Sequence, residues 1–179
     1  MTKVHIFTNL EIYKKSFRKS FDQFYGNISE YCILSLLPNY REREGSSLIY
    51  MVDDLIKNSQ HPKSGFYLNN YKGLSSTLEE LENEGQKTIL IGVSYALLDL
   101  ADQFPQKLEH TIIMETGGTK GERKELIKEE LHKILKNAFS LNKIHSEYGM
   151  TELLSQAYSK GNGIFNCPPW MKILRCWPK

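Results

Sequence analysis

The sequence predicts an α/β fold in three layers, with a largely parallel sheet flanked by helices. Three observations predict it. Short, continuous apolar runs such as Tyr31 to Leu37 end in turn-forming residues, which is the pattern of strands covered on both faces. Between these runs lie stretches whose apolar residues recur at helical spacing. The two kinds alternate over 179 residues with 40% hydrophobic content, enough for one sizeable core, so a single domain with right-handed crossovers is expected.

Taken in order, Ile12, Phe17, Phe21 and Phe24, with Tyr13 and Tyr25 alongside, predict an amphipathic helix over Leu10 to Tyr25, capped by Asn9 and ended near Gly26. Tyr31 to Leu37 is a buried strand closed by Pro38-Asn39, and Arg41 to Gly45 a charged loop. Ser46 or Ser47 caps a helix from Leu48 to about Ser59, with Ile49, Val52, Leu55 and Ile56 inward. Gly65 to Leu68 is a short strand. Ser76 and Glu79 form a capping-box pattern that opens a helix ending at Gly85, so capping explains the hydroxyls of Gly73 to Thr77. Lys87 to Ile91 is a strand, Tyr95 to Phe104 a helix stopped by Pro105, and Thr111 to Met114 a strand. The glycine-rich loop Glu115 to Gly121 then leads into a helix from Glu122 to Phe139, with Ile127, Leu131, Ile134, Leu135 and Ala138 inward. Lys143 to Glu147 is a strand with a turn at Tyr148-Gly149.

Composition excludes several classes. A net charge of +2 with acids and bases interspersed gives no basic face for nucleic acid. No apolar run approaches a membrane span, and the start lacks a secretion signal, so a cytoplasmic protein is expected. Cys32, Cys167 and Cys176 are odd in number and show no paired spacing, against a disulfide framework or a structural zinc site. His5, His61, His110 and His132 form no metal-binding spacing. The apolar segment Trp170 to Leu174 has no closing element after it, which reads as a partial domain.

Chemistry concentrates in two loops that follow successive strands, and in open α/β sheets ligands bind beyond the carboxyl ends of strands. Gly117-Gly118 lets backbone N–H groups crowd an anion or a purine edge; it reads equally as a turn before a helix. Tyr148-Gly149-Met150-Thr151-Glu152 places an aromatic face, a hinge, a hydroxyl and a carboxylate together, a set that suits a nucleotide and a hard cation. On those five residues alone, plain capping of a helix starting at Glu152 is the ordinary alternative.

In sequence order these loops resemble the adenylate-forming enzymes, and among them the acyl-protein synthetase (LuxE-like) family of fatty-acid activating ligases. The resemblance runs from the first helix to about Leu174 and rests on METGGTKGERKE (Met114 to Glu125), HSEYGMTELLSQAYS (His145 to Ser159) and GNGIFNCPPWMKIL (Gly161 to Leu174). It implies part of the large N-terminal domain of such an enzyme, with Tyr148 stacking on adenine, Gly149 permitting the approach, Thr151 bonding the α-phosphate and Glu152 holding Mg2+. Gly117 and Gly118 would lie between the adenine and acyl sites, and Gly92, Ser94 and Tyr95 at the acyl pocket, where Ser94 replaces a proline usual in relatives. ATP and magnesium would be required. The substrate would be a fatty or other carboxylic acid, and the acceptor a thiol of a protein cysteine or coenzyme A. An acyl reductase is an implied partner. The family's phosphate loop with its lysine would precede Met1, and its ribose-binding aspartate and carboxyl-terminal domain would follow Lys179. The chain is therefore expected to be a central fragment, inactive alone.

Two other readings stand beside it. Gly92-Val93-Ser94-Tyr95-Ala96 approaches the nucleophile elbow of α/β serine hydrolases, with Glu115 and His145 following in the order acid then histidine; against it, only two strands are expected after Ser94. With the family resemblance Ser94 is expected to be a helix cap. Alternatively the chain is a non-catalytic folded or assembly piece, whose exposed sheet edges would favour a homodimer.

Overall fold

The computed structural model describes residues 10–37, 46–68, 70–117, 126–150 and 153–172. The expected cap Asn9, the charged stretch 41–45, Gly118, Thr151, Glu152 and Cys176 lie outside them.

Helix α1 spans Leu10–Tyr25, and Gly26, at φ 84°, ends it while donating its N–H to the Asp22 carbonyl. Strand β1, Cys32–Leu36, is buried throughout. Helix α2 runs Ser47–Ser59 from Ser46, whose hydroxyl accepts the Ile49 N–H; Ile49, Met51, Val52 and Leu55 are buried and Ile56 only partly so. Strand β2 is Gly65–Phe66, shorter than the run to Leu68 expected from sequence.

Helix α3 departs further from expectation. It spans Tyr71–Asn83 and is capped by Asn70, whose side chain accepts the Gly73 N–H at 3.0 Å. Ser76 is inside the helix. Asn70 offers its acceptor more than a turn earlier, and Leu74, Leu78 and Leu81 form one buried stripe across the supposed start. The hydroxyls of Gly73 to Thr77 therefore do not cap; that of Ser75 accepts from Gln106 Nε2.

Strand β3 is Thr88–Gly92, helix α4 Ser94–Gln103 and strand β4 Thr111–Glu115. Helix α5 occupies Lys128–Phe139, not a span from Glu122: Leu126 and Ile127 are not helical, and Ile127 is 62% exposed. Its inner stripe is Leu131, Leu135 and Phe139, with Ala138 packed beside it, while Ile134 faces out. Strand β5 is His145–Tyr148. No helix follows at Glu152, because Leu153–Gln156 are not helical and strand β6, Ala157–Ser159, returns antiparallel to β5. The Tyr158 ring explains that return. It is fully buried between Phe24 and Tyr25 of α1, each 5.3 Å away.

The sheet order is β2-β1-β3-β4-β5-β6, parallel except at β6. Alternate residues of the central strands feed two cores. Leu34, Leu36, Leu90 and Ile113 meet α3, α4 and α5 on one face, while Ile33, Ile89, Ile91 and Met114 meet α1 and α2 on the other. The chain moves one way from β1 to β2 and the other way from β2 to β3, β4 and β5. With crossovers of a single hand, α2 must then lie opposite α3, α4 and α5, as it does. A bidentate Arg18–Asp54 pair, both contacts 2.7 Å, ties α1 to α2. Glu82 fixes the start of β4 by accepting from the Glu109 and His110 N–H groups and the Thr111 hydroxyl. None of the described helices is long and apolar enough to cross a membrane.

Asn70→Ala is expected to cost about 1 kcal/mol in urea unfolding, and Ser76→Ala less than about 0.5 kcal/mol. A larger cost at Ser76 would restore the later helix start.

Candidate functional site

Strands β3, β4 and β5 end at one rim of the sheet, and their following turns adjoin there. Backbone bonds lace the first two turns: Thr116 N–H donates to the Gly92 carbonyl at 3.0 Å, and Ser94 N–H to the Gly117 carbonyl at 3.3 Å. Gly92 is required by packing, since a Cβ there would lie 2.9 Å from Leu36 Cβ and 3.1 Å from Leu97 Cγ. Ser94 is 4% exposed and is the first residue of α4; Val93 occupies the cap position, so the expectation that Ser94 caps the helix is not met. Tyr95 packs half-buried against the core under α3, α4 and α5.

Glu115 ends β4 with 2% side-chain exposure. One oxygen accepts the Gly117 N–H at 2.8 Å and the other lies 2.8 Å from Lys128 Nζ, with His132 Nε2 at 3.6 Å. Burial opposes ionisation, but His132, Lys128 and the Ser146 hydroxyl outweigh it and hold the carboxyl down at about 2. Gly117 has φ 71°, a left-handed conformation that suits glycine, and this turns its amide back onto Glu115. That amide is thus engaged inside the protein; Gly118, its expected companion in an anion nest, lies outside the described residues.

Strand β5 alternates between the faces. Ser146 pairs with Glu115 and shares its side of the sheet, while His145 pairs with Met114 and points to the α1 side. There His145 Nδ1 is 3.2 Å from the Tyr25 hydroxyl, and burial together with Lys160 and Lys143 depresses the imidazole to about 4. Neutral at physiological pH, the ring shares this hydrogen bond with the Tyr25 hydroxyl without carrying charge. Glu147, on the same side, is 7% exposed, and burial with the nearby Glu115 charge pushes its carboxyl up to about 8. Its Oε1 occupies the position beside Gly149, where a Cβ would come within 2.7 Å.

Tyr148 points to the Glu115 side and is 42% exposed. Its ring meets the edge of Phe165 at 5.9 Å, and Lys128 Nζ lies 4.7 Å over that same Phe165 ring. The rim therefore gathers Tyr148, Gly149, Gly117, Glu115 and Lys128. Thr151 and Glu152 follow directly but lie outside the described residues. Because Leu153–Gln156 are not helical, the capping account of those two residues loses its helix.

The described side chains do not assemble Ser94, Glu115 and His145. Glu115 is paired with Lys128 and His145 is turned to the opposite face; three described strands follow Ser94, one more than expected, so the strand count itself no longer argues against a hydrolase. No group of three or more potential metal ligands occurs among the described residues, and the two rim carboxylates do not fit a cation: Glu115 is already neutralised by Lys128, and Glu147 favours its protonated form. The strand order also places a topological switch between β1 and β3, where the residues after β1 lie outside those described.

Sequence reading passed over Lys128, His132, Glu147 and Phe165. Glu147 could have been found from the alternation of β5, which sets it on the same face as His145. Phe165 and Lys128 carry no local signal, since their meeting depends on how residues 153–172 return across the sheet edge. Comparison with family models, with curated proteins and with solved structures finds no match to this chain.

The two carboxyls give opposite pH effects. Glu115, lowered in the fold, contributes stability that is present above its ordinary value of 4.5 and is lost as pH falls toward 2. Glu147, raised in the fold, contributes stability that is present below 4.5 and is lost as pH rises through 8. His145 has stopped titrating above its ordinary 6.5. Thermal melting of the native protein is therefore expected to fall from pH 6.5 to about 9, and Glu147→Gln to remove most of that fall. Glu115→Gln should destabilise at neutral pH by about 1–3 kcal/mol, because the buried group loses its charge-assisted bonds to the Gly117 amide and Lys128 while the half-exposed ammonium itself stays solvated.

Proposed function

We propose that the rim of β3, β4 and β5 holds an adenine nucleotide and an acyl group, and that the chain serves adenylation of a fatty or other carboxylic acid in the manner of an acyl-protein synthetase. The observation that carries this reading is the juxtaposition of the Gly117 turn and the exposed Tyr148-Gly149 turn at the carboxyl ends of adjacent parallel strands, with no helix after Glu152 to account for Thr151 and Glu152 by capping. The long motifs quoted from the sequence support it independently of the fold.

In the reaction so assigned, a carboxylate oxygen of the acid attacks the α-phosphorus of ATP. The bond from that phosphorus to the bridging oxygen breaks, pyrophosphate leaves with the electron pair, and an acyl-adenylate forms. A thiol then attacks the acyl carbon and AMP departs. Tyr148 offers its half-exposed ring to adenine and is steadied by its edge-to-face contact with Phe165. Gly149 lets the base approach where a side chain would collide with Glu147. With Glu147 protonated, the α1 side of the rim adds no negative charge against a phosphate. Cys32 is excluded as the acyl acceptor, since it is fully buried and burial raises its thiol to about 11. The described rim carboxylates do not fit magnesium, and Glu152, the residue expected to hold it, lies outside the described residues.

Among the described rim groups the Gly117 amide and the Lys128 ammonium are both taken by Glu115, so few donors remain for a triphosphate. Calorimetry with magnesium present is therefore expected to show an acyl-adenylate analogue and AMP binding more tightly than ATP. Tyr148→Ala should weaken both by tenfold or more, in line with about 1–3 kcal/mol for a base stacked on an aromatic ring. Acid-dependent exchange of pyrophosphate into ATP by the chain alone is expected to be undetectable, since so few described donors remain for the triphosphate. Absence of analogue binding by the folded chain, or binding indifferent to Tyr148, would overturn the proposal.

A further inference from the structure

A concavity lies away from the rim, between α1 and residues 153–172, with a volume of about 570 Å³. That is within the range of ligand pockets, about 300–1,000 Å³. Its walls are apolar: Ile12 of α1 faces Leu153, Leu154 and Trp170. The indole is held in place, its Nε1–H bonded to both Ser16 Oγ at 2.9 Å and Ser155 Oγ at 3.1 Å, so the ring presents carbon to the cavity. The indole N–H and the two serine hydroxyls of the wall thus satisfy one another, and three exposed lysines complete the lining.

Lys15 and Lys19 stand one turn apart on α1, and Lys172 reaches the cavity from the other wall. No described carboxylate pairs with any of the three. Some other described lysines pair, Lys57 with Asp53, Lys63 with Glu80 and Glu84 and Lys87 with Glu30, while Lys133 and Lys136 make no ion pair with a described acid but do not line this cavity. Like charges at a spacing of four on a helix repel. The arrangement is a mildly unfavourable cluster of cations around an apolar hollow, and an anion with a hydrocarbon chain relieves both features.

We propose that this cavity binds a single-chain amphiphile whose head group carries two negative charges, such as a phosphate monoester, with the chain against Ile12, Leu154 and Trp170 and the head among Lys15, Lys19 and Lys172. Three ammonium groups that no described carboxylate neutralises match a dianion better than a carboxylate. A phosphate monoester is a dianion above its second pKa of about 6. The site is independent of the nucleotide reading, since none of its residues belongs to the rim.

The sequence contains two tryptophans, so Trp177→Phe leaves Trp170 as the sole indole and its fluorescence reports the cavity wall. Titrations at about pH 8 with decyl phosphate, decanoate and decyl maltoside, all below their aggregation concentrations, are run beside calorimetry. Vesicles of neutral and anionic phospholipid form a further arm. Decyl phosphate is expected to saturate the signal at least tenfold more tightly than decanoate, and decyl maltoside more weakly still. Lys15→Gln with Lys19→Gln should weaken decyl phosphate by tenfold or more without moving the melting temperature, because both side chains are exposed and neither makes an ion pair with a described residue. Tyr148→Ala should leave this binding unchanged. Equal affinity for decyl maltoside, indifference to the lysine pair, response to anionic vesicles without response to the monomer, or neither heat nor quenching would each overturn the proposal.

Discussion

Burial of the central strands on both faces is the constraint from which the rest of the structure follows. Cys32 to Leu36 and Thr88 to Gly92 are buried at every position, so each strand must find helices on both sides. Each leucine or isoleucine withdrawn from water contributes about 1.5–3 kcal/mol, more than a single surface ion pair. The chain meets the demand by reversing direction once. Moving from β1 out to β2 puts α2 beside α1, and returning through β3, β4 and β5 puts α3, α4 and α5 on the other face. The strand ends are thereby aligned, and the turns that follow β3, β4 and β5 have little choice but to share one rim.

That rim contains the molecule's main electrostatic conflict. Glu115 and Glu147 sit on neighbouring strands and on opposite faces, each nearly out of solvent. Glu115 keeps its charge because Lys128 and the Gly117 amide reach it from its own side; Glu147, buried near Tyr13, Tyr25 and Tyr158, makes no ion pair with a described residue and holds a proton instead. Two like groups whose affinities for a proton are driven apart by their surroundings divide into a fixed anion and a neutral donor. The glycines at the rim belong to the same arrangement: Gly117 turns its amide toward the anion, and Gly149 leaves room for the neutral carboxyl.

How much of this was legible depended on whether a feature is local. The α/β class, α1, α2, β1, β3 and β4 could be read directly, because double-faced strands appear as unbroken apolar runs and α1 carries a strong aromatic stripe. The start of α3 was misplaced because Ser76 and Glu79 imitate a capping box, whereas Asn70 caps from a stretch without helical periodicity. Strand β6 was missed for a different reason. Its three residues, Ala157-Tyr158-Ser159, bear no strand signature, and only the fit of Tyr158 under α1 selects them. At the candidate site, Tyr148 and the glycines were singled out from sequence, while the pairing of Glu115 with Lys128 across thirteen positions depends on where α5 docks.

The distribution of unpaired positive charge bears on how any anionic ligand could be held. At the rim, the described cation Lys128 is fixed between Glu115 and the Phe165 ring and has little freedom to turn toward a phosphate. On α1, Lys15 and Lys19 are exposed and have no described acid to satisfy. Fixed charges without partners attract anions over roughly a Debye length, about 8 Å in physiological salt, whereas a cation already paired with a buried carboxylate presents almost no net field. A ligand at the rim must therefore draw on ring stacking and backbone approach before charge, and a ligand at the α1 cavity on charge and chain burial together. The two places differ in what they can recognise even though Leu153 and Leu154 begin only a few residues beyond Tyr148, and that difference follows from which lysines the fold has already used.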